Sequence, residues 1–186
     1  MAAGAAVPGL FFVFAAMVLL IFASVSAPTW DRISFLNSEG LRFGVFGYSG
    51  SSTHVGYKFP SPIGDGDING GVLHNLTFTL ILIPIAAGLS GLAFIFGSCG
   101  AAYHRSGTVF MSLLSALAFL VTLIAWVLEM VLFGIAHHRA SDRGIAVKWG
   151  NANWIVLGAL GSLFVGFILA TCGIFGSYRQ SRRTAY

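Results

Sequence analysis

Residues 33–57 read ISFLNSEGLRFGVFGYSGSSTHVGY, one long polar, aromatic and glycine-rich segment in a chain otherwise made of apolar runs. Its odd and even positions separate. Leu41, Phe43 and Val45 fall on one face, and Val55, Tyr57 and Phe59 do the same further on, with His54, Gly56 and Lys58 opposite. A period of two marks half-buried strands. Asn37-Ser38-Glu39-Gly40 and Ser49-Gly50-Ser51-Ser52 lie between the runs and supply the side chains and positive φ that turns need. The segment therefore reads as a small antiparallel sheet displayed outside a membrane, with Phe43, Val45 and Tyr57 among its buried residues.

Working outward, 56% of the 186 residues are hydrophobic and only 9% are charged, against roughly a quarter charged in soluble domains. Four apolar stretches are long enough to cross a bilayer core of about 30 Å, which takes roughly 20 helical residues. They run over about 10–27, 73–98, 108–136 and 154–177, leaving outer loops 28–72 and 137–153. The fold class is an all-α four-span membrane bundle carrying a small β-sheet, and one domain, 1–186, accounts for the whole chain. No Lys or Arg precedes the first stretch, so it reads as a span and not as a cleaved signal peptide.

The net charge of +4 comes from ten Lys and Arg spread over several loops, with no basic stripe for a phosphate backbone, so nucleic acid is not an expected partner. Arg105, Arg179, Arg182 and Arg183 fall on the side of the termini, and Arg32, Arg42, Lys58, Arg139, Arg143 and Lys148 on the opposite side. Charge alone does not settle the topology, because the positive-inside bias is weak in long loops. Cys99 and Cys172 lie at one membrane face, at the ends of the second and fourth spans. They read as small packing residues or as sites of palmitoylation. No metal-ligand set occurs, and no cofactor is expected.

Pro28 stops the first helix, Trp30 occupies an interfacial position, and Asp31–Leu36 reads as a first strand. Asp65-Gly66-Asp67-Ile68-Asn69-Gly70 matches half of a calcium loop, but Leu76 stands where the bidentate Glu belongs, so the segment reads as a solvated acidic turn. Asn75-Leu76-Thr77 is a formal glycosylation acceptor too close to the bilayer to be used. Pro84 is expected to kink the second span. Ala87 with Gly91, and Gly158, Ser162, Gly166 and Ala170 spaced by four, form small-residue stripes where another helix, from this chain or a partner, can approach closely. Ile95-Phe96-Gly97-Ser98 and Ile174-Phe175-Gly176-Ser177 close two spans alike.

In the third span Ser115, Ala118, Thr122, Ala125 and Glu129 recur at three and four, a seam that faces other helices. Glu129 is an intramembrane carboxylate, a functional candidate by default. The blander reading pairs it with Arg32, Arg42 or a loop amide; partner binding and proton sensing are the alternatives. Ile145–Trp149 is placed to add one strand to the sheet. His54, His74, His137 and His138 share the outer side, as a pH-responsive surface or as loop histidines without a role. Nucleophile, base and orienter nowhere occur together, so an enzyme is not expected.

These residues, above all the RFGVFGY core (Arg42, Phe43, Gly44, Val45, Phe46, Gly47, Tyr48) and the following VGY with Gly56 and Tyr57, resemble the PalI branch of the fungal PalI-type, claudin-like family. The resemblance implies a left-handed four-helix bundle with cytosolic termini and a sheet built from both outer loops. It further implies a plasma-membrane accessory protein of ambient-pH signalling that supports a larger multi-span sensor of the PalH type. Many relatives carry a cysteine pair where this chain has Ser49 and Ser52, and a longer tail than Arg179–Tyr186. A subunit of a cell-wall polysaccharide synthase, a membrane-domain scaffold, and a self-associating claudin-like structural protein are the other readings.

Overall fold

The computed structural model describes the backbone of residues 7–30, 32–38, 40–57, 71–102, 105–142 and 144–183, and side chains for 7–30, 32–38, 40–57, 75–100, 109–138, 140–142 and 144–171. Helix α1 (Val7–Ser24) is followed by strands β1 (Leu36–Ser38) and β2 (Leu41–Phe43). Then come α2 (Gly71–Thr79), α3 (Leu82–Ala102), α4 (Arg105–Asp142), β3 (Val147–Trp149) and α5 (Ala152–Arg183). Four helical segments are long and apolar enough to cross a membrane: Val7–Ser24, Asn75–Gly100, Val109–Asp142 and Ala152–Thr171. Helix α1 packs against α3 and α5, and α4 packs against the same two, closing a four-membered ring.

The ring is held by inward helix faces rich in small side chains. Gly9, Val13, Ala16, Leu20 and Ala23 on α1 are buried, and so are Ser115, Ala118, Thr122, Ala125 and Glu129 on α4. Spacings of three and four return to one helix face. Phe11, Leu113 and Trp154, by contrast, point outward at 65%, 66% and 72% exposure. This inversion suits lipid, where van der Waals contact between closely approaching helices replaces hydrophobic drive.

The second span is broken as its proline requires. A turn at Leu80-Ile81 separates α2 from α3, because Pro84 has no N–H and its ring excludes a normal helical bond to the Leu80 carbonyl. That carbonyl instead accepts the N–H of Ile83 at 3.1 Å. Helix α4, at 38 residues, is about 57 Å long, so it overruns the bilayer and carries its last turns up to the sheet.

The sheet joins both outer loops in the order β2-β1-β3, all antiparallel. Pairing continues past the strands, with the Gly150 N–H on the Phe35 carbonyl at 2.9 Å and the Ala152 N–H on the Ser34 carbonyl at 3.0 Å. Phe35 stacks on Phe133 of α4 with centroids 5.4 Å apart, tying the sheet to the bundle. The third strand lies where Ile145–Trp149 was expected.

Two expectations are corrected. The first strand is Leu36–Ser38 and not Asp31–Leu36. Residues before it fold back on the helix end, where Ala27 N–H donates to the Ile33 carbonyl at 3.1 Å; pairing with β2 and β3 overrides the turn preference of Asn37 and Ser38. Nor do Val55 and Tyr57 share a buried face: Val55 is 40% and Tyr57 6% exposed, with no strand over 54–57. Gly56, at φ +73°, turns the chain between them. Phe59, Lys58 and the acidic segment 65–70 lie outside the described residues.

Candidate functional site

The motif Arg42–Tyr48 forms β2 and the tight turn after it. Gly44 donates its N–H to the Gly47 carbonyl at 2.8 Å, and Phe43 bridges to Tyr48. Gly44 is a glycine because of its neighbour: a Cβ there would collide with the Ala27 backbone. The next residue, Val45, is fastened to the same place, its N–H donating to Ser26 Oγ at 3.0 Å in a buried setting. The turn is thus seated directly on the end of α1.

Three rings close around it. Phe43 lies 5.9 Å from Tyr48 and 6.4 Å from Tyr57, and the two tyrosines are 6.5 Å apart. The buried Tyr57 hydroxyl donates to the Gly44 carbonyl at 3.2 Å, and its own carbonyl accepts from Thr77 Oγ1 at 3.3 Å. Burial pushes the Tyr57 phenol well above its ordinary pKa, so it stays a neutral donor. Phe43 and Val45 are buried and Phe46 is partly so, while Arg42 is exposed on the opposite face.

A second clamp comes from residues that sequence reading did not single out. Asn151 accepts the Ser34 N–H at 3.2 Å and donates to the Arg32 carbonyl at 3.0 Å. Gly150 lets the two loops touch, since a Cβ would strike the Ser34 carbonyl. Asn151 immediately before a helix start is a legible cap signal; its reach across 117 positions of sequence is not.

Within the bundle, Glu129 is 1% exposed. Neither of its oxygens has a hydrogen-bond partner among the described residues, so the expected pairing with Arg32 or Arg42 is not found. Arg32 and Arg42 are exposed, and Arg42 belongs to the sheet face turned away from the helices. Ser115 Oγ, Trp126 Nε1 and Asn153 Oδ1 are likewise buried without a partner among the described residues. Thr122 satisfies itself on the Ala118 carbonyl at 2.7 Å.

The small-residue stripes separate. Ala87 is buried and Gly91 faces Met17. Gly166 is buried against Val13 and the Gly9 backbone, and Gly9 in turn touches Ala170, so this end of the stripe packs on α1. Gly158 is exposed, with Ser162 bonding its carbonyl at 2.9 Å. Steps of four advance about 40° beyond a full turn, so a straight line in sequence winds from the outside of the bundle to its interior. Cys99 is a free, exposed thiol on α3, and the side chain of Cys172 lies outside the described residues.

The model of the SUR7/PalI family matches residues 5–169, which include the first three spans, the sheet and most of the fourth span. The chain belongs to the SUR7/PalI family. This SUR7/PalI chain is 30% identical over 155 residues to the pH-response regulator protein palI/RIM9 of Yarrowia lipolytica, covering 77% of this chain and 20% of that protein. It is 33% identical over 89 residues to the uncharacterized membrane protein TOS7 of Saccharomyces cerevisiae, covering 44% of this chain and 16% of that one. It therefore spans about a fifth or less of the length of these relatives.

Proposed function

We propose that this chain is a non-catalytic accessory protein of the plasma membrane, with cytosolic termini, that stabilises or tunes a larger multi-span membrane protein in ambient-pH sensing. The family membership and the relative named as a pH-response regulator support the setting. The observation that carries the accessory role is the seating of the motif turn: Gly44 against Ala27, Val45 on Ser26 and Tyr57 on Gly44 make sheet and helix ends one unit. A rigid platform coupled to four spans is suited to holding another protein in one conformation. Under this reading Arg42–Tyr48, Gly56 and Tyr57 build the docking platform, the inward small residues build the frame, and Glu129 and Thr122 belong to its polar seam.

Extraction of the tagged chain from its native membrane in a mild detergent, followed by identification of what co-purifies, tests this. The reading expects one larger multi-span protein in fixed proportion. Recovery of only further copies of the chain would replace it with a self-associating structural role, and recovery of a polysaccharide synthase would relocate the partner.

A further inference from the structure

An open sheet has two edges, and the chain itself covers the one at β2. There the Ser49 N–H donates to the Arg42 carbonyl at 2.9 Å and Phe43 bridges to Tyr48. The other edge is β3, whose neighbour in the sheet is β1. Gly144, Ala146, Lys148 and Trp149 are exposed along it. Hydrogen-bonded and non-bonded pairs alternate along an antiparallel ladder. The bond from the Gly150 N–H to the Phe35 carbonyl makes those two a bonded pair. Asn37 with Lys148 is then the next, which leaves Trp149 and Val147 in the non-bonded positions opposite Leu36 and Ser38. Val147 and Trp149 therefore turn their backbone N–H and carbonyl groups away from β1. Among the described residues no other backbone group bonds to them.

This edge is fixed in place from behind. The His137 ring of α4 stacks on Trp149 with centroids 5.5 Å apart and planes at 16°, and the Asn151 clamp holds the chain just beyond it. Little conformational freedom is left to lose on binding. Unpaired strand edges take up extended segments through main-chain hydrogen bonds. Charge decides which segment. If β3 paired antiparallel with β3 of a second copy about its central residue, Lys148 would stand opposite Lys148, and like charges directly opposite are destabilising. A strand with a carboxylate at that position gains where self-pairing loses.

We propose that the free edge of β3 is a docking site for an extended segment of the larger membrane protein, added to the sheet as a further strand through the backbone of Val147 and Trp149, with an acidic side chain set against Lys148. The proposal rests on the accessory reading for the existence of that partner. It adds where the partner is held and by what chemistry.

The full chain, tagged and extracted from its native membrane in a mild detergent, tests this by the amount of larger protein recovered per copy. Val147→Pro removes an edge N–H without touching the ladder to β1, since proline is accepted in an edge strand where its nitrogen faces outward. It is expected to cut recovery at least fivefold. Lys148→Glu is expected to cut it at least threefold, and Lys148→Arg to leave it unchanged. Arg32→Glu makes the same charge change at another exposed position and should recover as much as the parent. Thermal melting of each variant reports the fold, and if Val147→Pro melts early the exposed Lys148 variants decide. Undiminished recovery in Lys148→Glu, or an equal fall in Arg32→Glu, overturns the docking site and leaves the accessory reading standing. A parent chain that recovers no larger protein overturns that reading and the proposal with it. Recovery of only further copies, lost in Val147→Pro, assigns the edge to self-pairing and overturns the acidic partner.

Discussion

The sheet platform and the helical bundle solve packing in opposite ways. In the platform the interior is filled by large rings, Phe35, Phe43 and Tyr57, and its polar contacts are made one by one: Ser26 to Val45, Tyr57 to Gly44, Asn151 to Ser34. In the bundle alanine, glycine and serine share the interior with larger aliphatic side chains such as Leu20 and Leu163, most rings face outward apart from Phe133, and Ser115, Trp126 and Glu129 keep buried polar atoms without partners among the described residues, as does Ser38 in the sheet. The difference follows from the solvent. Water around the platform rewards burying rings. Lipid gives rings no reason to turn inward, and close backbone approach becomes the main source of cohesion. The platform should therefore respond most to added or removed volume, the bundle to changes at its helix-to-helix contacts.

The sharpest break of that contrast is Gly44→Ala. Its new methyl meets the Ala27 backbone, which has no side-chain end to move aside, so loss of the folded protein, or destabilisation beyond the usual 1–3 kcal/mol of overpacking, is expected. Gly40→Ala is the control: φ is +89° but the space is open, and about 1–2 kcal/mol should be lost. Thermal melting in detergent reads both. If the two behave alike, the motif turn is not seated on α1. Phe43→Ala comes next, at about 3–5 kcal/mol, the usual cost of emptying a core aromatic site.

Within the bundle, Gly166→Leu should separate α1 from α5, whereas Gly158→Leu should be near neutral, since only Gly166 touches Gly9 and Val13 closely. Equal effects would mean that the stripe is not divided between interior and exterior. Tyr57→Phe should cost about 1–2 kcal/mol by leaving the buried Gly44 carbonyl without this donor. Its pH signature is specific. Because the folded state raises the phenol pKa, the contribution is complete below the ordinary value of about 10 and is lost as pH climbs beyond it. The parent chain should therefore lose midpoint above about pH 10 more steeply than Tyr57→Phe; identical alkaline slopes would remove Tyr57 from the buried core.

The smallest effect expected is at Glu129. With no partner for its carboxyl among the described residues, Glu129 has no ion pair there to lose, so Glu129→Leu should melt at or above the parent chain, and Glu129→Gln close to it. Marked destabilisation by both would reveal a partner.

Spans, sheet and inward seam were all legible, because period and apolar length are properties of one segment at a time. The alternation at Leu41, Phe43 and Val45 and the three-four rhythm from Ser115 to Glu129 could be read residue by residue. What failed depended on distant chain. Asn37 and Ser38 look like a turn until β3 pairs with them, and Tyr57 is buried through Gly44 and Thr77, not through an alternating strand. The glycines of the motif were visible as a resemblance, but their reason, the Ala27 backbone pressed against Gly44, belongs to the fold.

The central claim, that the platform and not the lipid-facing helix surface engages a larger membrane protein, is tested most directly by photo-crosslinking in native membranes. A photoreactive residue is placed in turn at the exposed Ala146, beside β3, and at Leu113, which is 66% exposed on α4. The account predicts a discrete adduct with one larger protein from position 146 and only lipid adducts from 113. A protein adduct from 113 alone, or adducts only with further copies of this chain, would contradict it.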